Sequence, residues 1–161
     1  YDAALLLSHF DAGTQLQEIE ELLSKLAQTS LSHAKVFMVK ASRLVSLADY
    51  KNALPIARRA YEKAVEARNL EMQGENLFSI GVIYFQLYQL DRSLSFMQKA
   101  LAIQETLGET SEFWTTKYSI GVVLQNLGRR NEARLILQDI LKAETPHTYK
   151  HRAENLWLGS H

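Results

Sequence analysis

Apolar residues recur along this chain at steps of three and four, in long blocks separated by short polar or small-residue breaks. Ile120, Val123, Leu124 and Leu127 follow the helical period, Gly128 interrupts it, and Leu137, Ile140 and Leu141 resume it. Gly128 fits the slot just past a helix end, where a left-handed backbone costs glycine little. An earlier break falls at Ala48-Asp49-Tyr50, with Asp49 placed to cap the helix that follows. Pro55 is expected in that helix's first turn, where a missing N–H does least harm. The pattern predicts helices over 32–48, 50–69, 72–89, 91–108, 111–128 and 130–144. A further helix over 14–28 directs Leu16, Ile19, Leu22, Leu23 and Leu26 inward, and another begins at 147.

These blocks are copies of one another. Ala41, Gly81 and Gly121 lie 40 residues apart. The same step pairs Met38 with Phe78 and Tyr118, Leu44 with Tyr84 and Leu124, and Leu47 with Leu87 and Leu127. It also pairs Ile56 with Phe96 and Ile136, and Ala60 with Ala100 and Ile140. A gapless period of this length means a stacked array of identical supersecondary units. Each unit reads as two antiparallel helices. Close packing of a helix pair favours small residues at the crossing, which assigns Ala41, Gly81 and Gly121 to the first helix. Ala53, Ser93 and Ala133 are assigned to face them from the second. Leu44, Tyr84 and Leu124 then fill the space between successive pairs. No pair buries its apolar face alone, so the expectation is an all-α, right-handed superhelical solenoid. It forms one domain over 1–161: a degenerate unit 1–31, repeats 32–71, 72–111 and 112–146, and the start of another at 147–161.

The run Leu77-x2-Ile80-Gly81-x2-Tyr84, continued by Ser93-Leu94-x2-Met97-x2-Ala100-Leu101, resembles a tetratricopeptide repeat. Two other stretches share the pattern: Ile120-Gly121-x2-Leu124 with Gly128, Ala133, Leu137 and Ile140, and Ala41-x2-Leu44 with Asp49-Tyr50, Ala53-Leu54, Ala57 and Ala60. The period is about six residues longer than the commonest form. The family's closing proline is missing from the first two units, and Arg130 stands where Tyr50 and Leu90 stand in theirs. Longer-period repeats of this kind are similar to those of signalling scaffolds, peptide-sensing regulators and kinesin light chains. They also resemble repeats beside ATPase, cyclase or DNA-binding regions of large bacterial regulators.

The resemblance implies that the first helices line a concave, peptide-binding groove on the face opposite the packing glycine. In this chain those positions are Met38, Ser42, Val45, Phe78, Val82, Phe85, Tyr118, Val122 and Gln125, with Gln86 and Asn126 at the edge. The lysine, arginine and asparagine set with which some relatives hold a terminal carboxylate is absent from them. So is the asparagine ladder by which others grip an extended backbone. What remains is an apolar, partly aromatic surface with amide edges, suited to an apolar strand or an amphipathic helix. The partner is a protein or peptide segment, or another part of the same protein covering the groove. In the second case the chain is an interior solenoid segment that restrains or relays to a neighbouring domain.

Composition narrows the picture further. Of 161 residues 47% are apolar, with two prolines and seven glycines, which suits helices. Eighteen lysines and arginines balance eighteen acids, so no global field holds nucleic acid or an anionic membrane. Neither is expected as a partner. The lack of cysteine excludes disulfides and fits a reducing, cytoplasmic setting. His147, His151 and Glu154 share one helix face, but zinc needs further ligands and no HExxH motif is present, so no metal is expected. No cofactor is expected either. Arg58-Arg59 and Arg129-Arg130 are short basic spots, and Glu18-Ile19-Glu20-Glu21 is a polar helix face. Trp114 and Trp157 read as packing residues, Trp114 partly exposed near a helix start. No phosphate loop, nucleophile elbow or ordered catalytic triad appears, so no enzymatic activity is expected. The apolar opening and half-amphipathic close of the chain suggest a fragment of a larger protein, with Gly159 to His161 open to reading as a tag remnant.

Overall fold

A computed structural model describes residues 30–143 and 147–158 of this chain. They form seven α-helices: α1 (Ser30–Ser46), α2 (Tyr50–Glu66), α3 (Leu70–Gln86), α4 (Leu90–Leu107), α5 (Ser111–Asn126), α6 (Arg130–Lys142) and α7 (His147–Leu158). The helix expected over 14–28 and the run Glu18-Ile19-Glu20-Glu21 lie outside the described residues, as do the side chains of His147 and Trp157.

The helices stop one to three residues short of the hydrophobic pattern because the turns are built from its last positions. Ala48, Tyr88 and Gly128, 40 residues apart, all adopt left-handed backbone, with φ of 58°, 56° and 73°. At each, the residue itself donates three back (Ala48 N to Val45 O, Tyr88 N to Phe85 O, Gly128 N to Gln125 O) and the next donates five back (Asp49 N to Leu44 O, Gln89 N to Tyr84 O, Arg129 N to Leu124 O), all at 2.9 Å. This paired closure satisfies carbonyls the helix end leaves open. Only the third unit uses the glycine that suits it. Asp49, Asn69 and Thr110 cap α2, α3 and α5, their side chains accepting from Asn52 N, Met72 N and Phe113 N. Pro55 corrects a sequence expectation: it sits inside α2, in the second turn rather than the first. The carbonyl of Lys51 therefore lacks the N–H of residue 55, but both residues are exposed, where a carbonyl is open to solvent.

Packing follows the chain. Each helix lies against the next, and the first helices touch one another in series, α1 to α3, α3 to α5 and α5 to α7. Ala53, Ala57, Ala60 and Ala64 put an all-alanine stripe of α2 into the core, so α1 and α3 approach it closely. Ala41, Gly81, Gly121, Ala53, Ser93 and Ala133 are all buried. The contact at Gly81 is the tightest of the helical glycines: a Cβ there would stand 2.7 Å from Met97 Cγ and 3.3 Å from Met97 N and Ser93 O. Ser93 Oγ adds a hydrogen bond to the Gly81 carbonyl at 2.8 Å across the pair. At Gly121 the nearest atoms are side-chain carbons of Leu137 and Ile136, at 3.5 Å and beyond. Leu44, Tyr84 and Leu124 fill the core between pairs as expected. Tyr84 also stacks on Phe96, with centroids 5.4 Å apart, and accepts a 2.6 Å hydrogen bond from Arg58.

Candidate functional site

The concave candidate face is built by α1, α3 and α5. A helix turns about 100° per residue, so residues three, four and seven apart share a stripe. On α3 the open stripe is Glu71, Glu75, Ser79, Val82 and Gln86. On α5 it is Ser111, Thr115, Ser119, Val122 and Asn126, and on α1 Leu31, Lys35, Val39, Ser42 and Ser46. All of these are exposed or half-buried, whereas the opposite arc is closed by residues such as Asn76, Leu77, Ile80 and Tyr84.

The eleven groove positions named from sequence therefore fall into two sets. Ser42, Val82, Gln86, Val122 and Asn126 lie on the open stripe. Met38, Val45, Phe78, Phe85, Tyr118 and Gln125 lie on its border and are half-buried in the seams between units. Phe78, Val82 and Phe85 pack against the cluster of Leu94, Met97, Ile120, Val123 and Leu124. Met38 packs against Ala34, Ala64 and Met72. Tyr118 joins Phe113, Trp114, Leu137, Ile140 and Ala153, with Leu156 beside them. Gln125 donates through Nε2 to the Leu156 carbonyl at 3.2 Å, so α7 borders α5 there. The aromatic residues thus rim the surface and brace the stack, and the floor between them is richer in hydroxyl, amide and carboxylate groups than the hydrophobic positions alone suggest. The missed positions, Glu75, Ser79, Thr115 and Ser119, were discoverable by stepping back three and seven residues from Val82 and Val122. Around α3, Phe78 and Phe85 lie only about 60° and about 40° from the packing glycine Gly81, whereas Ser79 and Gln86 lie about 160° and about 140° from it, so the open stripe rather than its aromatic border is the face opposite the glycine.

Electrostatically the face is uneven. Glu71 and Glu75 are the only charges of α3. Burial pushes the half-buried Glu75 carboxyl above its ordinary value, and the neighbouring carboxylates Glu71 and Glu112 push it further. Glu112, across the seam on α5, is held below its ordinary value by hydrogen bonds from its own backbone N–H, Thr110 and Ser111 at the helix start. Lys117, the one basic residue of α5, turns away from this face: it pairs with Asp139 at 3.4 Å and lies 5.5 Å from the rings of Phe113 and Trp114. Trp114 itself is 5% exposed, less than expected for a helix-start position, because Phe113 packs edge-on against it and Lys117 covers it. Of the basic spots, Arg58 donates to the Tyr84 hydroxyl and Arg59 lies over the Phe37 ring. Arg129 pairs with Glu132 at 2.6 Å. Among the described residues no three histidine, cysteine, aspartate or glutamate side chains converge as for a metal ion. Nor is any helix among them long and apolar enough to cross a membrane.

Residues 79–111 match the tetratricopeptide repeat family. No curated protein sequence matches the chain. Three solved structures share its architecture. TPR-like repeats named for a kinesin light chain of Podosopora anserina align with a TM-score of 0.75 and 13% identity, over 96% of this chain and 83% of that one. The apo form of RapI aligns with a TM-score of 0.72 and 16% identity, over 92% of this chain and 44% of that one. BtubC (BKLC) from P. vanneervenii aligns with a TM-score of 0.61 and 17% identity, over 98% and 58%. The chain thus spans less than half the length of RapI, and identities this low speak to fold alone.

Proposed function

We propose that this chain, a tetratricopeptide-type helical repeat protein, is an interaction module that captures an apolar or amphipathic polypeptide segment across the face of α1, α3 and α5. Tetratricopeptide-type repeats are in general protein-interaction scaffolds without catalytic chemistry, and we assign no catalytic residue here. The carrying observation is the half-burial of the rim. Stacking covers only part of Phe78, Phe85 and Tyr118, while Val82 and Val122 face the surface between them. A bound segment would remove that remaining apolar area from water, at about 25 cal/mol per Å². The hydroxyls and amides of Ser42, Ser79, Ser119, Gln86 and Asn126 would hold its polar groups. In this reading the units are 32–71, 72–111 and 112–146, and the module belongs to a larger regulatory or signalling protein. The second reading is an interior solenoid segment, favoured by the way α7 meets α5 through Gln125 and Leu156.

The test uses a fluorescein-labelled amphipathic peptide of about 18 residues, long enough for five helical turns, with a single leucine stripe. Phe78→Asp should cut its affinity about ten-fold or more. Far-UV circular dichroism checks folding, since Phe78 also braces a seam. Ser42→Arg, at an exposed position, obstructs the same surface without touching the core. If both variants fold and bind as the parent does, this face is not the binding site.

A further inference from the structure

The whole chain is neutral, yet α3 carries acids alone. In α3 both charges are negative, and they sit on the open stripe one turn apart with Val82 and Gln86. Across the seam Glu112 occupies the first turn of α5, near enough for its charge to act on Glu75. The cations of this region belong to the second helices or turn away from the groove: Arg92 and Lys99 lie over the rings of Tyr84 and Phe96, and Lys117 pairs with Asp139. Lys35 occupies the Glu75 position of the preceding unit, and no basic group is among those acting on Glu75.

Glu71 and Glu112 have an ordinary use, since acids in a first turn complement the helix dipole. Glu75 has none. It lies beyond the first turn, is half-buried, and faces two like charges. Keeping a carboxylate there is unfavourable in the free protein, and a cation delivered next to it offsets that cost.

We propose that the α3–α5 stretch of the groove docks a basic amphipathic helix, its apolar stripe on Val82, Val122 and the rims of Phe78, Phe85 and Tyr118, with lysine or arginine along one flank against Glu71, Glu75 and Glu112. The proposal rests on the groove reading above and adds the occupant's charge and its orientation. The carboxylates form one lip of the groove, in the N-terminal halves of α3 and α5, and the amides Gln86 and Asn126 form the other. A helix lying across α3 and α5 therefore meets acid on one side only. Its basic flank fixes which way round it rolls, and its apolar stripe then falls on the floor. Charge complementarity of this kind sets orientation and partner choice more than raw affinity.

Two peptides of about 18 residues with the same leucine stripe, one flanked by lysines and one by glutamates, test this by fluorescence anisotropy at low and high salt. The lysine peptide should bind about ten-fold tighter at low salt. That gap should shrink in high salt and in the Glu75→Gln/Glu112→Gln variant, whose folding is checked by circular dichroism. Equal binding of the two peptides, tighter binding of the glutamate peptide, or a gap that survives the double variant overturns the acidic lip and leaves the groove standing. If neither peptide binds, the groove reading falls and the inference with it.

Discussion

Replacing Gly81 by alanine and replacing Gly121 by alanine should change stability in opposite directions, although the two positions are one repeat apart on equivalent helices. Both changes gain helix propensity of about 1 kcal/mol and bury a methyl group, about 0.8 kcal/mol. They differ in what the methyl meets. At Gly121 it finds Leu137 Cδ2 and Ile136 Cγ2 at 3.5 and 3.7 Å, ordinary contact distances. At Gly81 it finds Met97 Cγ at 2.7 Å, an atom close to the backbone that cannot swing aside without a new rotamer for a side chain only 2% exposed. Behind it lie Met97 N and Ser93 O at 3.3 Å, which move only if α4 moves, straining the Ser93–Gly81 hydrogen bond. Overpacking of this kind costs about 1–3 kcal/mol and often more where backbone must shift. Gly121→Ala should therefore stabilise by about 1–2 kcal/mol and Gly81→Ala should lose about 1 kcal/mol. In thermal melts followed by circular dichroism, 1 kcal/mol corresponds to about 2–4 °C for a chain of this size. The first unit supplies the control, because Ala41 shares its core cluster with the small Ala57, where Met97 and Leu137 stand in the other units. In a Met97→Ala background, Gly81→Ala should become stabilising. If Gly81→Ala is equally harmful with and without Met97, or if both glycine variants shift the melt the same way, the close-approach argument is wrong.

Tyr88 is 89% exposed and held at φ 56°, so Tyr88→Gly should raise stability by about 0.5–1 kcal/mol, and Gly128→Ala should lower it by a similar amount; both are read from denaturant midpoints. Thr116 is buried with its hydroxyl unpartnered, and the same position two units earlier holds the fully buried Val36. Thr116→Val should stabilise by about 1 kcal/mol in the same assay, and a loss would show that the hydroxyl has a partner. Glu75→Gln should raise the melting temperature at neutral pH, because Glu75's carboxyl is pushed above 4.5 by burial first and by Glu71 and Glu112 after it. The folded state then takes up that proton before the unfolded state does, so the wild type gains on the variant as pH falls through the raised value, and the gap closes below about 4.5. A gap that is flat with pH between 7 and about 4 would refute the charge as its cause.

The 40-residue period by itself determined a great deal. Burial at Ala41, Gly81 and Gly121, at Ala53, Ser93 and Ala133, and at Leu44, Tyr84 and Leu124 follows from it, because identical units stack through identical contacts. Among the described residues, the helix count and order came with it. What sequence spacing did not reveal was how the stack divides a single helix face. Met38, Phe78 and Tyr118 read as groove lining, yet each is half-covered by the unit that follows, and that covering depends on the distance and rotation between successive pairs. The polar floor of Glu75, Ser79, Thr115 and Ser119 escaped notice because a search by apolar period passes over hydrophilic positions. Left-handed backbone at Ala48, Arg68 and Tyr88 was equally hidden, since among the described residues a glycine marks positive φ only at Gly108 and Gly128. Local periodicity fixes which residues face the core. Only the tertiary stack decides how much of the rest stays open to a partner, because neighbouring units compete with that partner for the same apolar area.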